Sequence, residues 1–252
     1  MGGDRELLGH VALVTGATSG LGRATALAFA QAGADVALLA RHEGDLEEVA
    51  AEAARAGVRA VPVPVDLAER EQVERAAERV RGELGGVDVL VNSAATDAPG
   101  GVEDITAADW DRVLAVNLRA PFLLCRAVLP SMRDAGRGTI VNVSSVAGKR
   151  GWANASAYCA SKFALAGFTQ ALAAEGKAHG IRACVIFPGG MATAWGSWSR
   201  VERQALPREA SPAERALPPE DIAGLIVWIA AAPKELVLNE VIATPLDEQG
   251  WP

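Results

Sequence analysis

One tyrosine and the lysine four residues after it are the side chains of this sequence best suited to acid–base chemistry. Tyr158 is the single tyrosine of the 252-residue chain, and Lys162 is one of its few lysines. On a helix, residues four apart lie on the same face, one turn from each other. An ammonium group there stabilises a phenolate and draws the tyrosine pKa down from about 10. The spacing therefore predicts a proton-transfer site, with a solvated surface pair as the alternative.

A serine precedes this pair by thirteen residues and suits the same chemistry. Ser145 follows the apolar run 139–143, which is typical of a buried strand. Its hydroxyl can donate to a substrate oxygen that gains negative charge. The neighbouring Ser144 is a competing candidate. A phenol and a hydroxyl around one small group indicate carbonyl–alcohol chemistry, which also requires a hydride partner.

Glycines near the N-terminus predict where that partner binds. An apolar run at 10–15 leads into Gly16, Gly20 and Gly22, and an Ala-rich helical pattern continues to about residue 32. A strand, a glycine loop and a helix together form the context in which backbone N–H groups hold a pyrophosphate. The alternative is an ordinary strand-to-helix turn, for which one glycine suffices. We expect a dinucleotide loop.

The remaining chain alternates strand and helix patterns, which predicts a parallel sheet covered by helices on both faces. Nothing in the composition divides the chain, so we expect a single α/β domain over 1–252 with a doubly wound sheet. After the first strand and helix, strands are predicted at 35–40, 58–65, 87–92, 138–144, 180–187 and 240–243. Helices are predicted at 43–56, 69–84, 106–116, 118–134, 155–178 and 219–231.

The segment 190–218 breaks this alternation at the carboxyl edge of the sheet, where ligands bind in such folds. It is rich in proline and contains Trp195 and Trp198. A lid over a substrate and an irregular surface excursion are both compatible with this composition.

Composition narrows the classes of partner. The net charge of −7 and the absence of a basic run argue against a nucleic-acid surface. The longest uncharged apolar run, 222–232, is too short to cross a bilayer, and the N-terminus lacks a signal pattern. Three separated cysteines fit reduced thiols in the cytoplasm, and the three histidines show no metal-ligand spacing. We expect a cytoplasmic protein without metal.

These motifs together resemble the short-chain dehydrogenases/reductases over essentially the whole length, which implies a Rossmann fold. Thr15 and the three glycines match the Thr-Gly-x-x-x-Gly-x-Gly pattern of that family, and Tyr158 and Lys162 match its Tyr-x-x-x-Lys pair. The sequence departs from the family pattern at two places. Ala95 stands where the family motif Asn-Asn-Ala-Gly, which begins here at Asn92, has its glycine. The C-terminal stretch 238–245 lacks the common Val-Asp-Gly-Gly ending.

The resemblance implies catalysis by Asn117, Ser145, Tyr158 and Lys162, with Tyr158 as general acid or base and Asn117 supporting a proton relay. It also implies a set of residues that bind the nicotinamide cofactor: Gly16, Thr18, Ser19, Gly20, Leu21, Gly22, Arg41, Asp66, Leu67, Asn92, Ala94, Tyr158, Lys162, Pro188, Gly189, Met191 and Thr193. Among these, Asp66 reads the adenine amino group, and 188–193 meets the carboxamide. A homo-oligomer, tetramer or dimer, is the usual assembly.

Cofactor choice can be argued from the residue after the second strand. An acidic residue there would bind ribose hydroxyls and repel a 2′-phosphate. The sequence has Arg41 instead, whose planar fork can pair with a phosphate. We therefore expect a preference for NADP(H), with NAD(H) possible. The alternative is that Arg41 pairs only with Glu43 or Asp45 on the next helix.

The substrate is predicted only as a small carbonyl compound or secondary alcohol. Trp152, Trp195 and Trp198 could line an apolar pocket for a ring-bearing substrate, or could serve packing and subunit contacts. An NADP(H)-dependent carbonyl reductase or alcohol dehydrogenase is the main functional hypothesis. A non-catalytic NADP-binding sensor or scaffold, and a lyase or epimerase using the same Tyr–Lys pair, are the alternatives.

Overall fold

The described residues build one parallel sheet. The structure is a computed structural model that describes residues 5–194 and 216–246. Its sheet has the strand order β3-β2-β1-β4-β5-β6-β7, with every neighbouring pair parallel. The strands are β1 (Val11–Thr15), β2 (Asp35–Ala40), β3 (Ala60–Pro64), β4 (Val89–Asn92), β5 (Gly138–Val143), β6 (Ile181–Pro188) and β7 (Glu240–Ala243).

Helices cover both faces of this sheet. They are α1 (Gly20–Gln31), α2 (Glu43–Ala54), α3 (Arg70–Leu84), α4 (Ala107–Leu114), α5 (Ala120–Ala135), α6 (Ser156–Gly176) and α7 (Pro219–Ala231). A π-helical segment, Ala115–Arg119, joins α4 to α5, and short 3-10 turns occupy Val146–Gly148 and Lys177–His179. The doubly wound α/β fold and the single domain are as expected from the sequence.

Alternating side chains of the central strands supply two separate cores. In β1, Ala12 and Val14 contact the core beneath α1, α2 and α7, whereas Val11 and Leu13 contact the core beneath α3, α5 and α6. Each strand residue therefore buries apolar surface whichever way it points, which explains the nearly continuous apolar runs in the sequence. Full burial of one such leucine contributes roughly 1.5–3 kcal/mol.

The sequence pattern places these elements within two residues of their observed bounds. Differences of two residues occur at the starts of β3, β4 and α5 and at the ends of α2, α4 and α6. Predicted from Val87, β4 begins at Val89, because the Asp88 carboxylate accepts a hydrogen bond from the backbone N–H of Val11 at 3.0 Å just before the ladder starts. At this position the acceptor for the N–H of Val11 is therefore the Asp88 side chain rather than a backbone carbonyl of β4.

One helical run of the described chain meets the length and composition of a membrane span. It covers Ala107–Ala135, and 56% of its most apolar window is buried inside the protein. Its apolar residues, among them Leu123, Leu124 and Val128, belong to the core beneath the sheet. We therefore assign the run to the core of a soluble fold.

The strand order reverses between β1 and β4, because β2 and β3 extend the sheet to one side and β4 to β7 to the other. The connections leaving β1 and β4 diverge there and open a crevice at the carboxyl ends of the strands. The glycine loop follows β1, and α6 brings Tyr158 and Lys162 to the same edge.

Candidate active site

A single cavity of about 610 Å³ gathers the glycine loop and the tyrosine–lysine pair. It extends from Gly16–Gly22 past Arg41 and Asp66 to Tyr158, and from there to Pro188. Every cofactor residue expected from the sequence lines it except Asn92. The cavity is therefore continuous from the phosphate loop to the proposed reacting groups.

The glycine loop packs so closely against its neighbours that side chains would not fit. Gly16 and Gly20 have φ of +70° and +49°, a backbone region that L side chains rarely adopt. A Cβ added to Gly22 would lie 2.2 Å from the carbonyl oxygen of Gly16. Thr15 holds the loop that follows β4, because its Oγ1 accepts from the N–H groups of Ser93 and Ala94 at 3.0 Å each. This bare helix N-terminus fits a dinucleotide pyrophosphate.

Tyr158, Lys162 and Ser145 converge at the other end. Helix α6 places Tyr158 one turn before Lys162, and the lysine Nζ lies 5.5 Å from the centroid of the phenol ring. The side chain of Ser145 hydrogen-bonds to the phenol, and its Oγ also accepts from the N–H of Ala147 at 3.1 Å. The Lys162 Nζ donates to the carbonyl oxygen of Val143 at 2.8 Å. The three side chains of the sequence prediction are thus brought together.

Burial sets the protonation of this pair, and the effect on tyrosine is opposite to the sequence expectation. Tyr158 is 8% exposed, and desolvation raises the pKa of its phenol, offset in part by the hydrogen bond from Ser145. Desolvation lowers the pKa of Lys162 to about 7. Since the ammonium lies on the ring rather than on the phenol oxygen and is only partly charged near neutral pH, it does not draw the pKa of Tyr158 downward in the protein alone.

Asn117 lies in the π-helical segment between α4 and α5, and its side chain hydrogen-bonds to two other segments. Its Nδ2 donates to the carbonyl of Thr96 at 2.9 Å and to Ser161 Oγ at 3.0 Å, and its Oδ1 accepts from the N–H of Thr96 at 2.8 Å. Ser161 Oγ in turn donates to the carbonyl of Tyr158 at 2.7 Å. Asn117 therefore links the loop after β4 to α6, and it lies in a π-helical irregularity of the chain.

Ser144 and Ser145 have separate surroundings. The Oγ of Ser144 donates to the backbone carbonyl of Lys162 at 3.1 Å, and Gly148 approaches it so closely that a Cβ there would lie 2.4 Å away. Ser144 is thus occupied in holding the loop to α6, and Ser145 is the serine that contacts the phenol.

The end of the cavity near β2 and β3 carries polar and charged side chains. Arg41 and His42 follow β2 and line the wall. Asp66 follows β3; its Oδ1 accepts from the N–H of Ala68 at 2.9 Å, and its Oδ2 lies 3.7 Å from an Arg112 nitrogen. Arg112, on α4, also lines the cavity, although no sequence motif pointed to it.

The other predicted site residues are placed as follows. Asn92 is buried outside the cavity, where its Nδ2 donates to Asn142 Oδ1 at 2.8 Å and ties β4 to β5. Trp152 lines the cavity and is 46% exposed. Trp195 and Trp198 lie outside the described residues, as does most of 190–218. Cavity-lining residues that sequence reasoning missed include Thr96, Val116, Val143 and Val146.

Comparison with known proteins agrees with this geometry. The sequence model of the family described as short chain dehydrogenase matches residues 10–203. The chain belongs to the short-chain dehydrogenase/reductase family. It shares the NAD(P)-dependent oxidoreductase chemistry of that family and acts on a small-molecule substrate.

Two curated relatives and one solved structure illustrate the likeness. D-Threitol dehydrogenase of Mycolicibacterium smegmatis is 38% identical over 90% of this chain and 88% of its own. Galactitol 2-dehydrogenase of Agrobacterium fabrum is 34% identical over 93% of this chain and 95% of its own. A metagenomic short-chain oxidoreductase solved in complex with NADP superposes with a TM-score of 0.82 at 35% identity, covering 96% of this chain and all of that one.

Proposed function

We propose that this dehydrogenase interconverts a secondary alcohol and its carbonyl compound, with Tyr158 exchanging the proton. The observation that carries the proposal is the convergence of Tyr158, Ser145 and Lys162 at one end of a cavity whose other end is the glycine loop. A nicotinamide cofactor held along the cavity supplies the hydride chemistry.

Each side chain has one task in this proposal. The Ser145 hydroxyl orients the substrate oxygen, and the Tyr158 hydroxyl gives it a proton in reduction or takes one in oxidation. Since burial holds the phenol protonated, Tyr158 is set up as an acid in the protein alone. Lys162, buried and attached to the Val143 carbonyl, is placed to stabilise the phenolate when it carries its proton. Asn117 holds the loop after β4 and helix α6 in fixed relative positions by its hydrogen bonds to Thr96 and Ser161.

We further propose NADP(H) as the preferred cofactor. Arg41 lines the cavity directly after β2, where a 2′-phosphate reaches in doubly wound dinucleotide folds. The NADP-bound relative of the same fold supports this choice. Asp66 is the residue for the adenine, and Pro188, Gly189, Met191 and Thr193 are those for the carboxamide.

For assembly and location we propose a cytoplasmic homo-oligomer, tetramer or dimer, and for 190–218 a substrate-covering segment. Its two ends are held side by side, because Ala192 N donates to the carbonyl of Leu217 and Leu217 N donates to that of Gly190, both at 2.9 Å. The first of these ends lines the cavity through Gly190, Met191 and Thr193.

A substrate panel tests the function. The purified protein is mixed with NADP⁺ or NAD⁺ and a secondary alcohol, or with NADPH or NADH and a ketone, and the absorbance of the reduced nicotinamide is followed. The names of the two relatives make polyols the first alcohols to include, and the position of Trp152 makes aryl ketones the second. The expected result is a net change in reduced cofactor that requires substrate.

The alternatives give different results in the same assay. A sensor or scaffold binds the cofactor without consuming it, and a lyase or epimerase transforms its substrate with no net change in reduced cofactor. Either outcome over the full panel would overturn the proposed reaction while leaving the cofactor site intact.

A further inference from the structure

Two oppositely charged side chains from distant segments meet on the wall of the cavity. Asp66 follows β3 and Arg112 lies on α4; Nη2 of Arg112 lies 3.7 Å from Oδ2 of Asp66, and both residues line the cavity. Strands β3 and β4 lie on opposite sides of β1, so the pair connects the two sides of the crevice at which the strand order reverses. The function proposed above uses Asp66 and gives Arg112 no task.

The carboxylate of Asp66 is held from one side by its own loop. Its Oδ1 accepts from the N–H of Ala68 at 2.9 Å, and its backbone N–H donates to Gln72 Oε1 at 3.0 Å. The other oxygen, Oδ2, is the one beside Arg112. A separation of 3.7 Å is an ion-pair contact that is too long for a hydrogen bond, and a carboxylate oxygen accepts from more than one donor. Oδ2 can therefore accept a hydrogen bond from a ligand while it stays next to the guanidinium.

Helix α4 holds Arg112 from the other side of the crevice. The helix is capped by Thr106, whose Oγ1 accepts from the N–H of Asp109 at 3.1 Å and donates to its Oδ2 at 2.7 Å. This cap orders the first turn, and Arg112 lies on the turn that follows. Its side chain is 43% exposed. An exposed ion pair contributes little to folding stability, whereas at the wall of a binding cavity it fixes the direction in which a carboxylate accepts hydrogen bonds.

We propose that Arg112 orients the Asp66 carboxylate so that Oδ2 accepts from the amino group of the cofactor adenine, and that the pair thereby selects adenine over bases without that group. The inference rests on the proposed function, which assigns Asp66 to the adenine. Arg112 is a positioning residue in this account, because it acts through Asp66. The adenine amino group is a donor, whereas hypoxanthine has an oxygen acceptor at the same ring position. A carboxylate oxygen attracts the donor and repels the acceptor.

Dinucleotides that differ only in that group test the contact. NADPH and its hypoxanthine analogue, deamino-NADPH, are titrated separately into the purified protein, and the fluorescence of the reduced nicotinamide reports binding. Wild type is expected to bind NADPH about tenfold more tightly, the lower range for one hydrogen bond to a charged group. NADH and deamino-NADH are expected to give the same ratio, because the 2′-phosphate takes no part in the contact. The test is therefore independent of the preference for NADP(H).

Variants of Arg112 separate positioning from structure. Arg112→Met keeps a long apolar side chain but removes the guanidinium, and it is expected to reduce the tenfold ratio to about threefold or less. Arg112→Lys keeps a cation and is expected to restore part of the ratio. The matched control is Arg126→Met, because Arg126 pairs with Glu74 outside the cavity; it is expected to keep the wild-type ratio. The ratio of the two affinities is the readout, since damage to the fold weakens both dinucleotides together.

A change at Asp66 is expected to reverse the preference. In Asp66→Asn the amide oxygen keeps the N–H of Ala68, so the amide nitrogen takes the place of Oδ2. That nitrogen donates to the hypoxanthine oxygen and cannot accept from the adenine amino group. Asp66→Asn is therefore expected to bind deamino-NADPH more tightly than NADPH. Adding Arg112→Met to this variant is expected to change the ratio by less than about twofold, because no carboxylate remains for the arginine to orient.

Failure of this proposal and failure of the function are distinguishable. Equal binding of the two dinucleotides by wild type, a wild-type ratio in Arg112→Met or Asp66→Asn, or proportional weakening of both dinucleotides in Arg112→Met would overturn the role of Arg112 and leave the oxidoreductase intact. The expected ratios in a protein that turns over no member of the substrate panel would support the adenine contact and overturn the proposed reaction. A wild-type protein that binds neither dinucleotide would overturn both.

Discussion

Replacing Lys162 by methionine is expected to make the folded protein more stable at low pH while removing turnover. The lysine is 2% exposed, and burial lowers its pKa from 10.5 to about 7. A base whose folded pKa lies below its unfolded pKa binds fewer protons when folded, so unfolding takes up a proton between pH 7 and 10.5. The free energy of unfolding of wild type therefore rises with pH across that window.

The magnitude follows from that pKa difference. At about 1.4 kcal/mol for each pH unit, burying the ammonium lowers the free energy of unfolding by about 5 kcal/mol at pH 6 and by about 2 kcal/mol at pH 9. Methionine removes this penalty but also loses the hydrogen bond to the Val143 carbonyl, which costs about 1–3 kcal/mol at either pH. Lys162→Met is thus expected to exceed wild type by about 2–4 kcal/mol at pH 6 and to match it within about 1 kcal/mol at pH 9.

Urea denaturation followed by tryptophan fluorescence at the two pH values measures both proteins. At each pH, the free energy of unfolding of wild type is subtracted from that of Lys162→Met. This difference is expected to be about 3 kcal/mol larger at pH 6 than at pH 9. The lost hydrogen bond does not affect the comparison, because it contributes equally at both pH values. Lys177→Met, at an exposed position, is the matched control and is expected to follow wild type within about 0.5 kcal/mol. A Lys162→Met difference that does not vary with pH would refute the argument that the ammonium is desolvated.

Two further variants probe the cofactor cavity through fluorescence titration. Arg41→Glu is expected to weaken NADPH at least about tenfold more than NADH, because it replaces a phosphate-pairing cation by an anion, and equal weakening of both would contradict the 2′-phosphate role. Gly22→Ala is expected to weaken both cofactors by about tenfold or more, because its Cβ would lie 2.2 Å from the Gly16 carbonyl oxygen and displace the loop. Gly82→Ala, where a Cβ meets open space, is its control, and similar behaviour of the two glycine variants would refute the steric argument.

Local pattern was sufficient for the fold and for the placement of the main site residues. Alternate side chains of β1 and β2 pack into two different hydrophobic cores, so nearly every residue of these strands is apolar. Such continuous apolar runs can be recognised as buried strands from the sequence. Helical spacing likewise placed Tyr158 and Lys162 on one face of α6. Both inferences depend on neighbours only a few residues apart, which a sequence displays directly.

Properties that depend on distant segments were not accessible in this way. The pKa of Tyr158 is raised because surrounding segments exclude water from it, and no spacing within the sequence reports that burial. The loop after β4 lies against α6 because Asn117 and Asn154 hydrogen-bond to its Thr96 and Gly100, a contact between distant segments. Asn92 was expected at the cofactor and instead bonds Asn142 on the next strand.

The role of Tyr158 as the proton donor and acceptor is tested most directly by Tyr158→Phe, with cofactor binding and turnover measured on the same preparation. Phenylalanine keeps the ring that packs beside Ala147 and Cys159 and removes only the hydroxyl. NADPH affinity is expected to stay within about threefold of wild type, while kcat falls by about a hundredfold or more, the contribution of general acid–base catalysis. Turnover retained at the wild-type level with cofactor bound would contradict the account.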